Sequence, residues 1–282
     1  MHPTLGLCSW SLHPESVDQL VDRVKACGLS SIQLALTPIA ELQEGWEERR
    51  TIDALDAAGI TVLSGMLATI GEDYSTLDTI RETGGVRSDG HWADNLERAR
   101  RVADVAHRMN LRLVTFHAGF LPHDRTDHLH RVMIERLGQI GELFHDRGIM
   151  VAFETGQESA PTLVEVLREL DADGAGRVGV NFDPANMILY GMGDPIESLR
   201  LLAPWVKQVH VKDAVPTTAP GTWGREVAVG TGAVDWKAFF AFLSRSLPSV
   251  NAVMEREAGE KRVDDIRAAA ALVRSLYTGV QG

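Results

Sequence analysis

The chain has 282 residues with 28 basic and 39 acidic side chains, a formal net charge of −11, which disfavours non-specific attraction to nucleic acid or anionic lipid. Its 44% hydrophobic and 24% charged residues are ordinary for a globular protein, and no apolar run approaches the roughly 20 residues that span a bilayer. The length suits one domain over residues 1–282, while two cysteines, Cys8 and Cys27, without C-x-x-C spacing argue against a disulfide framework and for a reducing, cytoplasmic setting.

No basic stretch followed by a long apolar segment opens the chain, so no signal peptide is expected. Residues 5–9 read as a first strand. Trp10 and His13 lie just beyond it, where a loop would reach substrate; for His13 a solvated loop position is the plainer alternative. Residues 16–27 carry Val17, Leu20, Val21 and Val24 at the spacing of a helix face, and Gly28 stops them. Residues 31–36 form a second strand, in which Gln33 either binds a sugar hydroxyl or completes a polar core layer. A helix over 46–58 and a strand over 60–67 follow. Residues 71–90 are too long and polar for an ordinary loop and hold a short helix around 75–81. The helix over 92–109 leads to a strand over 112–117. His117 ends it as a metal ligand, a donor to substrate, an orienting group for a carboxylate, or a satisfied core histidine. Gly119 beyond it allows close packing of a ligand or a tight turn.

After a helix over 128–147, the apolar run 149–153 closes on Glu154. Gln157 and Glu158 follow, as hydroxyl ligands or as capping and solvated loop residues. A helix over 161–170 leads to two further runs, 178–182 and 205–211, flanking a helix-length segment. Asp183 follows the first and His210 lies in the second. Residues 213–232 form a second long loop with Trp223, Arg225 and Glu226. A helix over 234–247, a strand over 250–254 closing on Glu255, and a helix over 261–277 complete the chain. Short apolar runs alternating with helices predict a parallel barrel, with strand ends near Ser9, Leu36, Leu67, His117, Glu154, Asp183, His210 and Glu255. In such barrels the site lies at the strand C-terminal ends, so both long loops are expected on the face that carries Glu154, Asp183, His210 and Glu255.

The stretches NFDPAN, QVHVKD, FET and MERE resemble the xylose isomerase-like TIM barrels, which include sugar isomerases, ketose 3-epimerases, inosose dehydratases and apurinic endonucleases. The resemblance covers nearly the whole chain and is strongest from Val114 onward. It implies a (β/α)8 barrel holding a divalent metal on Glu154, Asp183, His210 and Glu255. Glu257, two residues on, is a rival for the last position. By resemblance to the ketose 3-epimerases, Glu154 and Glu255 also move the proton. Relatives place His three residues after the strand-six Asp, where this chain has Asn186, a candidate substrate contact. The nucleases' Asp-x-His pair is replaced by Gly224-Arg225-Glu226, which leaves a three-zinc nuclease site incomplete.

Three carboxylates and an imidazole suit Mn²⁺ or Mg²⁺, with Co²⁺ and Zn²⁺ also compatible, and ligand identity alone does not choose among them; Mn²⁺ is the expected ion. A metal that chelates a carbonyl and the neighbouring hydroxyl favours an enediolate. Returning the proton gives epimerisation or isomerisation, and losing β-hydroxide gives dehydration. The expected function is therefore a metal-dependent isomerase or epimerase of a keto-sugar or polyol. A keto-polyol dehydratase is the alternative; a phosphodiesterase or a non-catalytic sugar-binding barrel stands further off. The partner is a small sugar or polyol, with no nucleic acid or membrane, and a homo-oligomer stays open.

Overall fold

The computed structural model describes residues 3–219 and 221–279. Residues 1, 2 and 280–282, at the ends of the expected domain, and residue 220, inside the expected 213–232 loop, lie outside them. The strands are β1 (Leu5–Cys8), β2 (Ser31–Ala35), β3 (Thr61–Met66), β4 (Leu113–Phe116), β5 (Met150–Glu154), β6 (Val178–Phe182), β7 (Val206–Val211), β8 (Asp213–Val215), β9 (Arg225–Val227) and β10 (Asn251–Met254). Eight of them close a parallel barrel in the order β1-β10-β7-β6-β5-β4-β3-β2, with Leu5, Gly6 and Leu7 opposite Ala252, Val253 and Met254 at the closure. This is a (β/α)8 TIM barrel. Each barrel strand ends within one residue of its expected position, because the apolar run stops where the chain leaves the doubly covered sheet.

The helices are α1 (Val17–Ala26), α2 (Thr37–Ala40), α3 (Glu48–Ala58), α4 (Leu77–Thr83), α5 (Asp89–Arg108), α6 (His128–His145), α7 (Ala160–Leu170), α8 (Pro184–Leu189), α9 (Pro195–Leu202), α10 (Trp236–Ser246) and α11 (Arg262–Gly279). The Ser16 side chain caps α1, which buries Val17, Leu20 and Val24 as the spacing predicts. Two expectations need correction. The segment between β6 and β7 is two helices, because Gly191 and Gly193 take positive φ and Pro195 restarts the chain. The 213–232 stretch is partly ordered as an antiparallel hairpin pairing Asp213 with Val227 and Val215 with Arg225; runs of three residues are too short to show alternation in sequence.

Below the strand ends the barrel interior is polar. Gln33 Nε2 donates to Thr115 Oγ1 at 2.7 Å, Ser64 Oγ to Gln208 Oε1 at 2.7 Å, and Gln208 Nε2 to Gln33 Oε1 at 2.9 Å. All four side chains are fully buried, so Gln33 completes a core layer and is closed to substrate. Above, the 71–90 insertion is clamped to the chain after β4. A Cβ on Gly119 (φ +93°) would sit 2.2 Å from the Gly84 carbonyl oxygen, and one on Gly85 (φ +63°) would sit 2.2 Å from the Ala118 backbone. Close approach of the Gly84–Gly85 backbone explains Gly119. The hairpin is anchored differently. The fully buried Asp213 carboxylate accepts the backbone N–H groups of Ala214, Gly230, Gly232 and Val234 and the Trp236 indole N–H, at 2.9–3.2 Å.

Candidate metal centre

Four donors converge where β5, β6, β7 and β10, consecutive in the barrel, come to their C-terminal ends. One ligand atom each from Glu154, Asp183, His210 and Glu255 lies within 4.8 Å of all the others, and all four residues are buried. His210 Nδ1 stands 3.4 Å from Glu154 Oε1, 3.6 Å from Asp183 Oδ2 and 3.3 Å from Glu255 Oε2.

The polar layer and α8 orient this group. His210 Nε2 lies 2.8 Å from Gln33 Oε1 and 3.0 Å from Asn181 Nδ2. Without an ion, burial disfavours the His210 cation, but the surrounding carboxylates outweigh it and raise the pKa; with an ion bound, the tautomer in which Nε2–H donates to Gln33 would leave the Nδ1 lone pair free to ligate it. Asp183 caps α8 with one oxygen only: Oδ1 accepts from the Ala185 and Asn186 N–H groups at 2.7 and 3.0 Å. Asp183 Oδ2 and His210 Nδ1 are buried without a hydrogen-bond partner. Buried polar atoms are ordinarily hydrogen-bonded, and three buried carboxylate groups share the Lys212 ammonium, 3.0 Å from Glu255 and 3.8 Å from Asp183, and the His210 imidazole as counter-charges. The residues present therefore fit a divalent ion.

Glu255 is held on both oxygens. Trp10 Nε1 donates to Oε1 at 2.8 Å and Lys212 Nζ to Oε2 at 3.0 Å. Burial would raise this carboxyl, but the Lys212 and His210 charges outweigh it and hold it well below the usual range. Glu154 Oε1 accepts from Asn186 Nδ2 at 3.0 Å, and Oε2 faces His117 Nε2 at 3.8 Å. Burial works against the His117 cation, yet the Glu154 carboxylate and three further glutamates keep its pKa raised.

Lys212 is the residue that sequence reasoning missed. Its ammonium is buried, donates to Asn186 Oδ1 at 3.3 Å and contacts the Glu257 carboxylate closely. Burial disfavours its charge, but Glu255, Glu257 and Asp183 overcome that and keep it protonated. The signal was present: Lys212 follows His210 by two residues, and side chains two apart on a strand share a face.

The other expected residues separate. Asn186 bridges Glu154 and Lys212. Glu257 stays outside the four-donor group, its side chain half exposed beside Lys212. Gln157 and Glu158 are neither solvated nor capping; both are buried, and Ser159 caps α7. Burial raises the Glu158 carboxyl to about 8. His13 and Arg225 lie away from the donors. His13 is tied to Arg262 on the rim, and Arg225 is exposed on β9, because the hairpin turns its side chain outward while Glu226 turns back to pair with Arg256 at 2.6 Å. Among the described residues, the other grouping of metal-type side chains reuses His210 and Glu255 and adds Cys8. Burial pushes the Cys8 thiol far up, and its sulfur lies 3.6 Å from His210 Nε2, whereas the three carboxylates face Nδ1.

A cavity of about 410 Å³ opens above Glu255 and His117, with Trp10, Glu72, Tyr74 and Glu257 in its walls. Both long loops meet over it: Tyr74 from the insertion stacks on Trp223 from the hairpin, with ring centroids 6.5 Å apart, and Tyr190 packs against Trp223 at 4.9 Å.

Residues 21–276 match the family described as xylose isomerase-like TIM barrel. The chain belongs to that family. A xylose isomerase domain protein from Planctomyces limnophilus is 27% identical, with a TM-score of 0.86 over 99% of this chain and 98% of that one. The D-allulose 3-epimerase from Methylomonas sp., solved in complex with D-allulose, is 13% identical, with a TM-score of 0.72 over 98% of each chain; at that identity the likeness bears on the fold. The uncharacterized protein YihM of Escherichia coli K12 is 28% identical over 114 residues, which span 40% of this chain and 34% of that protein. Sugar epimerases thus share this family fold, and no helix among the described residues is long and apolar enough to cross a membrane.

Proposed function

We propose that the protein is a divalent-metal-dependent isomerase or epimerase of an unphosphorylated keto-sugar, acting by proton transfer next to the carbonyl. The observation that carries this reading is the buried group of Glu154, Asp183, His210 and Glu255, with Asp183 Oδ2 and His210 Nδ1 lacking a hydrogen-bond partner. These four residues would hold the ion, Mn²⁺ or Mg²⁺ being the best match to hard oxygen donors with one imidazole. A bound divalent ion supplies positive charge at a substrate carbonyl and its neighbouring hydroxyl, which makes the adjoining C–H acidic.

The chain's own groups do the rest. Glu154 and Glu255 flank the opening from the two outer strands of the four, so one removes the proton and the other returns it. Asn186 fixes the rotamer of Glu154, while Trp10 and Lys212 fix that of Glu255. His117 faces Glu154 from the cavity wall and is placed to donate to a substrate oxygen. No Lys or Arg is among the described residues lining the mouth cavity, so its wall offers no ammonium or guanidinium to pair with a phosphate, which favours a neutral sugar over a sugar phosphate. A second reading rests on Lys212, whose ammonium beside Glu255 could protonate a departing hydroxyl and make the enzyme a dehydratase. Proton NMR of metal-loaded protein with keto-sugars and inososes in D₂O tests both. Exchange of the C–H next to the carbonyl supports the proposal; enone absorbance supports the dehydratase; neither signal across the panel refutes proton transfer.

A further inference from the structure

Beside the mouth cavity lies a second one that the chemistry above leaves unused. It measures about 460 Å³, reaches out to Pro14, Trp46 and Arg262, and shares Trp10, Ala35, Pro38, Gln43 and Glu257 with the mouth cavity. The two form one trench running from the donors outward past α2. We propose that its outer half is a subsite for a second sugar ring, so that the substrate is a keto-sugar already carrying a glycosyl unit. This deepens, and rests on, the keto-sugar reading of the metal centre.

Size is the first argument. Cavities of roughly 300–1,000 Å³ suit drug-sized ligands, and the mouth cavity alone, at about 410 Å³, reaches that range. A monosaccharide is smaller than such a ligand and leaves the outer half filled with water. The second argument is the chemistry of the walls. Trp10, Pro14 and Pro38, all part-exposed, supply apolar lining together with the buried Trp46, and Gln43 and Glu257 supply polar groups in the same wall. A pyranose ring has the same two kinds of surface, C–H faces and a hydroxyl rim; apolar lining buries the former and polar groups bond the latter.

Charge argues against an anionic occupant. Arg262, the cation in this wall, is already spent on the chain: its guanidinium donates to the carbonyls of Gly259, Ser11, Arg256 and Glu257 and contacts the His13 ring. It shapes the trench and offers no free fork to a phosphate. The trench is also pre-formed. Thr37 Oγ1 accepts the Ala68 N–H at 3.1 Å, and the Trp46 N–H donates to the Gln43 carbonyl at 3.1 Å. Both bonds hold the floor before a ligand arrives, which lowers the ordering cost of binding.

The test is calorimetric titration of Mn²⁺-loaded protein with D-fructose and with three disaccharides that attach glucose to fructose: turanose at O3, maltulose at O4 and isomaltulose at O6. At least one disaccharide should bind ten-fold or more tightly than D-fructose. Pro14→Trp fills only the outer half; it should remove that advantage and leave D-fructose binding unchanged. Gln43→Ala, an exposed and conservative truncation, should lower disaccharide binding more than D-fructose binding. No disaccharide preference, or a preference that survives both variants, overturns the subsite. C–H exchange in D₂O, followed on the same mixtures, separates the two ideas. Exchange without disaccharide preference removes the subsite and leaves proton transfer standing; preference without exchange does the reverse.

Discussion

Glu158 offers a prediction whose size follows from burial. Its carboxyl is 4% exposed, and burial raises its pKa from 4.5 to about 8. The unfolded chain ionises near 4.5 and the native protein near 8. Between those values the unfolded state has given up a proton that the native state still holds, so stability falls as pH rises. The contribution is fully present below pH 4.5 and lost as pH climbs through about 8. At about 1.4 kcal/mol per pH unit, the whole interval amounts to about 5 kcal/mol, and the part reached by pH 7 to about 3 kcal/mol. Water entering the site reduces both figures, so they are upper bounds. Glu158→Gln keeps the shape and cannot ionise. In urea unfolding with EDTA present, the variant should match the parent near pH 4.5 and exceed it by several kcal/mol at pH 8. Parallel pH profiles for the two proteins would refute the reasoning.

Asp213→Asn keeps the outline of the hairpin anchor but sets an NH₂ group against N–H donors; with up to five such bonds affected it should cost about 3 kcal/mol or more by urea unfolding. Lys212→Met leaves Glu255 and Glu257 without their cation and should destabilise the metal-free protein by about 3–5 kcal/mol; an unchanged unfolding midpoint would remove Lys212 from the centre's support. Tyr74→Ala breaks the stack on Trp223 and should weaken keto-sugar binding by about 0.5–1.5 kcal/mol in calorimetry, with metal content unaltered. Glu154→Gln and Glu255→Gln should each suppress C–H exchange more than metal binding; exchange at the parental rate in the double variant would remove both from the mechanism.

The barrel and the meeting of Glu154, Asp183, His210 and Glu255 at its mouth were legible from the strand ends, while their reading as metal ligands came from the family resemblance. A Val-rich run buried on both faces must end where the chain meets solvent or ligand, and an acid or His at that end stands out against the run. What escaped the sequence depended on partners far along the chain. A lysine after a strand reads as solvated, and Lys212 is buried only because Glu255 and Glu257 stand 43 and 45 residues on to hold its charge. Gln33 resolves into a core residue once Thr115 and Gln208 supply its bonds. Arg225 and Glu226 are adjacent in sequence, and only the hairpin register decides which turns out and which turns back. His13 is taken up by Arg262, 249 residues away.

The central claim is that Glu154, Asp183, His210 and Glu255 hold one divalent ion. Calorimetric titration of EDTA-stripped, dialysed protein with Mn²⁺ tests it directly, alongside the Asp183→Ala/His210→Ala double variant. Asp183 Oδ2 and His210 Nδ1 are buried without a hydrogen-bond partner and face the space between the four donors, so their loss should abolish binding even where the fold survives by circular dichroism. The account predicts one ion per parent chain and none in the folded double variant. A parent that takes up no ion, or a double variant that binds one ion with parental affinity, would contradict it.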